Sequence, residues 1–197
     1  MFSPVISFAD IPPLSSLPAL AIDMGFSGDR PTCGIAFRAQ GSREVARKRL
    51  QFGECVDFTS KTLASVSEAV LIVEAPLSAA FDRRGNPQAR GAFEANPKPC
   101  WWSAGPGAAM ALAAQYFLRA LPGAGAGGQK CHLIEGFVTG VDSGDHAEVA
   151  ERLIDGLSAP RQAEWHQPTG GRVVSILDWL DPSTAHAIPV VLRPVNR

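Results

Sequence analysis

The chain has 197 residues, 46% of them hydrophobic and 19% charged, with 18 basic and 19 acidic side chains and a formal net charge of −1. That length suits one domain of ordinary size, and the apolar content excludes a disordered chain. A charge this close to zero also excludes attachment to nucleic acid or an anionic membrane by global charge, leaving only local patches.

In chain order, residues 1–18 read as an extended arm punctuated by prolines, with Val5, Ile6 and Phe8 available to pin it to the body. No basic segment precedes its apolar residues, which argues against a signal peptide. No apolar run approaches the ~20 residues needed to span a bilayer. The expectation is a cytoplasmic protein with no membrane partner. Residues 19–23 (ALAID) form a short buried strand, 24–31 a turn and 32–38 a second strand, together a hairpin. Residues 43–52 fit a helix and a third strand of the meander equally well. Helical spacing of Cys55, Phe58, Leu63 and Val66 predicts a helix over 54–67. Residues 69–74 (AVLIVE) are apolar up to the final Glu74, as a strand covered on both faces is, and Pro76 ends it.

Residues 78–103 read as an irregular insertion that interleaves cations with aromatics: Arg83, Arg84, Arg90, Phe93, Trp101 and Trp102. Such a mixture holds phosphates and stacks bases; it also describes an ordinary surface loop. Met110, Ala114, Phe117 and Leu121 recur on one face of a helix over 106–121. A strand over 131–138 contains Glu135, and Asp145 opens a helix that runs to about Leu157. Residues 159–197 form a turn-rich extension with strands near 173–177 and 188–193, packed on the core or serving as a homodimer interface. The four cysteines lack metal-ligand spacing, and Cys33 and Cys131 sit in apolar runs, so buried reduced thiols are expected. An antiparallel start followed by βα units gives an α/β fold, a mixed sheet with helices on both faces.

The chemistry lies in the acids. Asp23, Glu74 and Glu135 stand at or near the ends of apolar strands, where open α/β sheets place ligands. Asp145 follows the third of these strands, with Asp142 close by. If the first and fourth strands are neighbours, Asp23 and Glu74 converge, and clustered carboxylates repel unless a cation lies between them. Oxygen ligands suit Mg²⁺ or Mn²⁺, which assist in-line phosphodiester cleavage. Each acid also has a structural alternative: a turn for Asp23, an arginine partner for Glu74, a helix cap for Asp145.

These residues resemble a known family. Ile22-Asp23-Met24-Gly25-Phe26-Ser27 resembles the first motif of the ribonuclease H-like superfamily, and Val73-Glu74-Ala75-Pro76-Leu77-Ser78 resembles the second acidic motif of its uncharacterised predicted-nuclease branch. Leu133-Ile134-Glu135-Gly136-Phe137 and Asp145-His146-Ala147 resemble its third acidic strand and last helix. The resemblance spans about residues 19–157, within a core domain of residues 19–158, and implies a metal-dependent nuclease. Asp23 and Glu74 would be the paired metal ligands, with Glu135 and Asp145 completing the shell and His146 or Asp142 contributing. Substrate nucleic acid would meet Ser27, Arg83, Arg84, Arg90, Trp101 and Trp102. Two alternatives remain: a non-catalytic protein-interaction module with this fold, and nucleotide binding at the Asp23 loop, where Asp-x-Gly-x-Ser also resembles the first phosphate loop of actin-like ATPases and sugar kinases.

Overall fold

A computed structural model describes residues 2–26, 29–95, 106–121, 129–138, 145–162, 172–177 and 188–193. Among the described residues no helix is long and apolar enough to cross a membrane.

The centre is a mixed sheet. Strands β2 (Ala19–Asp23), β3 (Cys33–Arg38) and β4 (Ala46–Leu50) form an antiparallel meander. The ambiguous stretch is thus a strand, exposed along the sheet edge: its Arg47, Lys48 and Arg49 favour water on both faces, and pairing with β3 supplies the backbone partners. Strand β5 (Glu68–Glu74) runs parallel to β2, and β8 (Lys130–Gly136) runs parallel to β5.

Both ends of the chain join this sheet. Residues Phe2–Pro4 form β1, parallel to β8, and Val191–Arg193 form β11, also parallel to β8 and next to the short β9 (Arg161–Gln162). β1 and β11 lie end to end on one edge of β8, joined where the Val190 N–H donates to the Val5 carbonyl at 2.7 Å. The N-terminal segment is therefore not simply an extended arm. After β1 it makes a 3-10 turn and the short helix α1 (Ile11–Leu14), whose Ile11 and Leu14 are buried.

Two apolar layers sandwich the sheet. On one face Leu20, Ile22, Leu71, Val73 and Leu133 pack with Cys55 and Leu63 of α2 (Phe52–Ala64) and with Phe117 and Leu118 of α4 (Pro106–Ala120). On the other face Ala21, Val70, Ile72 and Ile134 pack with Ala150, Leu153, Ile154 and Leu157 of α5 (His146–Ser158). Alternation along each strand assigns successive residues to these two layers.

The insertion is partly regular. Ser78–Phe81 (β6) and Pro87–Gln88 (β7) form a hairpin, and β6 also pairs with Arg172–Ser175 (β10) to make a second, three-stranded sheet. Gly85 takes φ +82° in the hairpin turn. The short helix α3 (Ala92–Ala95) follows. The C-terminal residues therefore pack on the body through both β10 and β11, while Trp165 and Trp179 lie outside the described residues.

Candidate functional site

The register brings the first two acids together. Asp23 lies beside Glu74 across the parallel β2–β5 pair, beside Gly34 across β2–β3, and Gly34 lies beside Arg49 across β3–β4. Laterally paired residues project to the same face, so Arg49, Gly34, Asp23 and Glu74 form one rank, on the α5 side, at the C-terminal ends of β2 and β5.

Gly34 makes the centre of this rank possible. A Cβ there would lie 2.0 Å from the carbonyl carbon of His146 and 2.3 Å from the Ala147 nitrogen. The first turn of α5 therefore rests directly on the β3 backbone. Asp145 caps that helix, its Oδ1 accepting from the Ala147 N–H at 2.9 Å and from Arg49 Nε at 3.0 Å. His146, one residue on, reaches the rank with Nδ1 2.9 Å from Asp23 Oδ2.

The electrostatics separate these groups. Arg49, with the Ala147 N–H, holds the Asp145 carboxyl down at about 2. Hydrogen bonding to Asp23 raises the His146 imidazole above its ordinary value, favouring the cation. Loss of hydration pushes Glu74 well above the usual carboxylate range; the negative charge of Asp23 and a hydrogen bond with it add to this, against one lowering bond from the Val138 backbone. The protonated form of Glu74 is thus favoured. Among the described residues no arginine or lysine forms an ion pair with either carboxylate.

Glu135 requires a correction. It pairs laterally with Val73, one position out of phase with Glu74, and so projects from the opposite face. There it is fully buried against Arg90. Arg90 NH1 donates to Glu135 Oε2 at 2.7 Å and NH2 donates to Oε1, while the Leu77 N–H donates to Oε2 at 2.9 Å. Arg90 also donates to Glu94 and to Ser78 Oγ. Burial pulls the guanidinium pKa down, but Glu135 and Glu94 outweigh it and hold the pKa above the ordinary value. Glu135 is therefore a partner of Arg90 rather than a neighbour of Asp23. Arg90, 1% exposed, is a buried counter-ion rather than a nucleic-acid contact.

The expected shell of four acids does not assemble. Asp145 is occupied as helix cap and Arg49 partner, and among the described residues no three His, Cys, Asp or Glu side chains are grouped to hold a metal ion. Arg83 and Arg84 sit exposed on the β6–β7 turn, where Asp82 organises the backbone of Arg84 and Asn86. Phe93 packs edge-on against Phe137, with centroids 5.1 Å apart, and is core rather than a stacking surface. Ser27, Trp101, Trp102 and Asp142 lie outside the described residues.

Gly34 is the residue that sequence reasoning passed over. A glycine inside an apolar strand was the available signal, since it marks close approach of another backbone. Compared with known proteins, the chain matches no family model, no curated protein and no solved structure.

Proposed function

We propose that the protein is a divalent-cation-dependent phosphodiester hydrolase acting on nucleic acid, built on a ribonuclease H-like core, with Asp23 and Glu74 as its cation-binding pair. The observation that carries this reading is the in-register Asp23–Glu74 pair at the ends of two parallel strands, two carboxylates side by side with no arginine or lysine partner among the described residues. The order of antiparallel meander, helix, strand, helix, strand, helix supports the ribonuclease H-like core.

Two carboxylates do not make an all-protein cage. They do suit Mg²⁺ or Mn²⁺, which keep several waters and are commonly held by one or two carboxylates plus substrate phosphate. A bound cation would supply charge stabilisation at phosphorus and a more acidic water. The chain's own residues would do the rest. Glu74, whose protonated form its surroundings favour, gives up that proton on binding. His146 fixes one Asp23 oxygen and leaves the other for a ligand. The first turn of α5, seated on Gly34, holds His146 in place.

Calorimetry with Mn²⁺ tests this reading. The wild type is expected to bind, with proton release that grows as pH falls. Asp23→Asn and Glu74→Gln are expected to lose binding while keeping the wild-type circular dichroism. A Mn²⁺-dependent nuclease assay on single- and double-stranded DNA and RNA then assigns the substrate.

A second reading has its own support: Glu135 and Asp145 both have structural duties, as in a non-catalytic interaction module. Absence of Mn²⁺ binding by the folded wild type would favour it.

A further inference from the structure

A cavity of about 300 Å³ is lined jointly by the second sheet and α4. That is the small end of ligand pockets, which run from about 300 to 1,000 Å³. Most of its wall is aliphatic: Ala80 of β6, Ala108, Ala111 and Leu112 of α4, and Ile176. Leu112 lines it while 67% exposed, so the cavity opens to the surface.

The polar part of the lining is Ser78, Gln88, Arg90 and Glu94. Every N–H of the Arg90 guanidinium is already engaged. Nε donates to Glu94 Oε1, NH1 to Ser78 Oγ and Glu135 Oε2, and NH2 to Glu135 Oε1, with Glu94 Oε1 a further 2.6 Å contact of NH2. Arg90 is the one cation among these lining residues, and two carboxylates match it, so the wall has nothing to offer an anion. Ser78 differs. A guanidinium only donates, so Ser78 Oγ accepts from it at 2.7 Å and keeps its own proton. That proton has no acceptor among the described residues, and Ser78 is 2% exposed. A buried donor is costly to leave unpaired, and the free space beside this one is the cavity.

We propose that the cavity binds a small uncharged molecule with an aliphatic body and an oxygen that accepts the Ser78 proton. The inference does not rest on the function proposed above, since neither Asp23 nor Glu74 lines the cavity. The aliphatic wall selects the body, and the polar wall selects the head group. A carboxylate would face Glu94 with no free N–H from Arg90. An ammonium supplies only donors and leaves the Ser78 proton unpaired. A carbonyl oxygen meets that proton, and a primary amide adds N–H groups for which Glu94 and Gln88 supply acceptors.

The experiment uses three probes of one shape: cyclohexanecarboxamide, cyclohexanecarboxylate and the cyclohexylmethylammonium ion. Each is titrated into the isotope-labelled full chain and followed by NMR. The amide is expected to give saturable shifts centred on Ser78, Ala111, Leu112 and Ile176, with the millimolar affinity that suits so small a ligand. Both ions are expected to bind at least about tenfold more weakly. Ser78→Ala should weaken the amide about fivefold. Ala111→Phe fills the cavity from a half-buried wall position on α4 and should abolish the shifts. It leaves the Arg90 cluster intact, so it decides the matter even if Ser78→Ala fails to fold. The proposal is overturned if the amide gives no saturable shifts, as a cavity holding only water would, or if its shifts fall elsewhere. Equal or tighter binding of either ion also overturns it, as does wild-type affinity for the amide in either folded variant.

Discussion

The two faces of the sheet each hold a pair of carboxylates, and they treat them oppositely. On the α2–α4 face Glu135 and Glu94 meet the guanidinium of Arg90, and each acid's oxygens accept its N–H groups or a backbone N–H. On the α5 face Asp23 and Glu74 meet each other, with one imidazole beside Asp23. The first arrangement supplies its own cation and is closed. The second sets two carboxylates side by side, and the protonated form of Glu74 is favoured there. Burial alone does not distinguish the two clusters; the group that faces each carboxylate does.

The largest break in this comparison comes from Arg90→Met. Removing the cation strands two buried carboxylates and should cost about 3–5 kcal/mol, read as a shift in the urea midpoint. Replacing Arg90, Glu94 and Glu135 together with apolar residues should cost less than Arg90→Met alone, since no charge is then left unpaired. Equal losses would mean that packing, not charge, holds the cluster.

Gly34→Ala attacks the other face. The added methyl runs into the His146 backbone, and such overpacking should cost about 1–3 kcal/mol. By lifting α5 it should also return the His146 pKa toward its ordinary 6.5. An unchanged imidazole titration by NMR would show that the helix does not rest on this glycine.

Asp145→Ala removes a helix cap, worth about 1 kcal/mol. The folded Asp145 carboxyl sits at about 2 against an ordinary 3.8. Its folded value is depressed, so its contribution is present above pH 3.8 and fades as pH falls toward 2. Wild type and variant should therefore converge in stability in acid.

Glu74→Gln has the opposite sign. The folded value of Glu74 is raised above 4.5, so above that pH the folded state binds more protons than the unfolded one. Stability then falls as pH rises through the folded value. Gln removes that loss, so the variant's urea midpoint should match the wild type near pH 4 and exceed it at pH 8. A wild-type advantage at pH 8 would place an internal cation beside Glu74 and erase the contrast between the faces.

Periodicity along the chain marked the strands ending at Asp23 and Glu74, the helices over α2, α4 and α5, and an α/β sheet, because apolar alternation and helical spacing are local properties. The sequence also singled out Asp23 and Glu74, because an acid terminating an apolar run is visible without a fold. Position 43–52 stayed open between helix and strand, since only pairing with β3 supplies the hydrogen bonds that decide it. The same limit applied to Glu135. A register difference of one residue reverses the face of a strand side chain, and register is set by neighbours far away in sequence. Arg90 read as a surface cation until folding placed it 2.7 Å from an acid 45 residues on. Chain order thus determined which residues are chemically able to form a site. Tertiary structure alone decided which carboxylates face each other, which face a guanidinium, and how closely a helix end can approach a strand that has no side chain in its way.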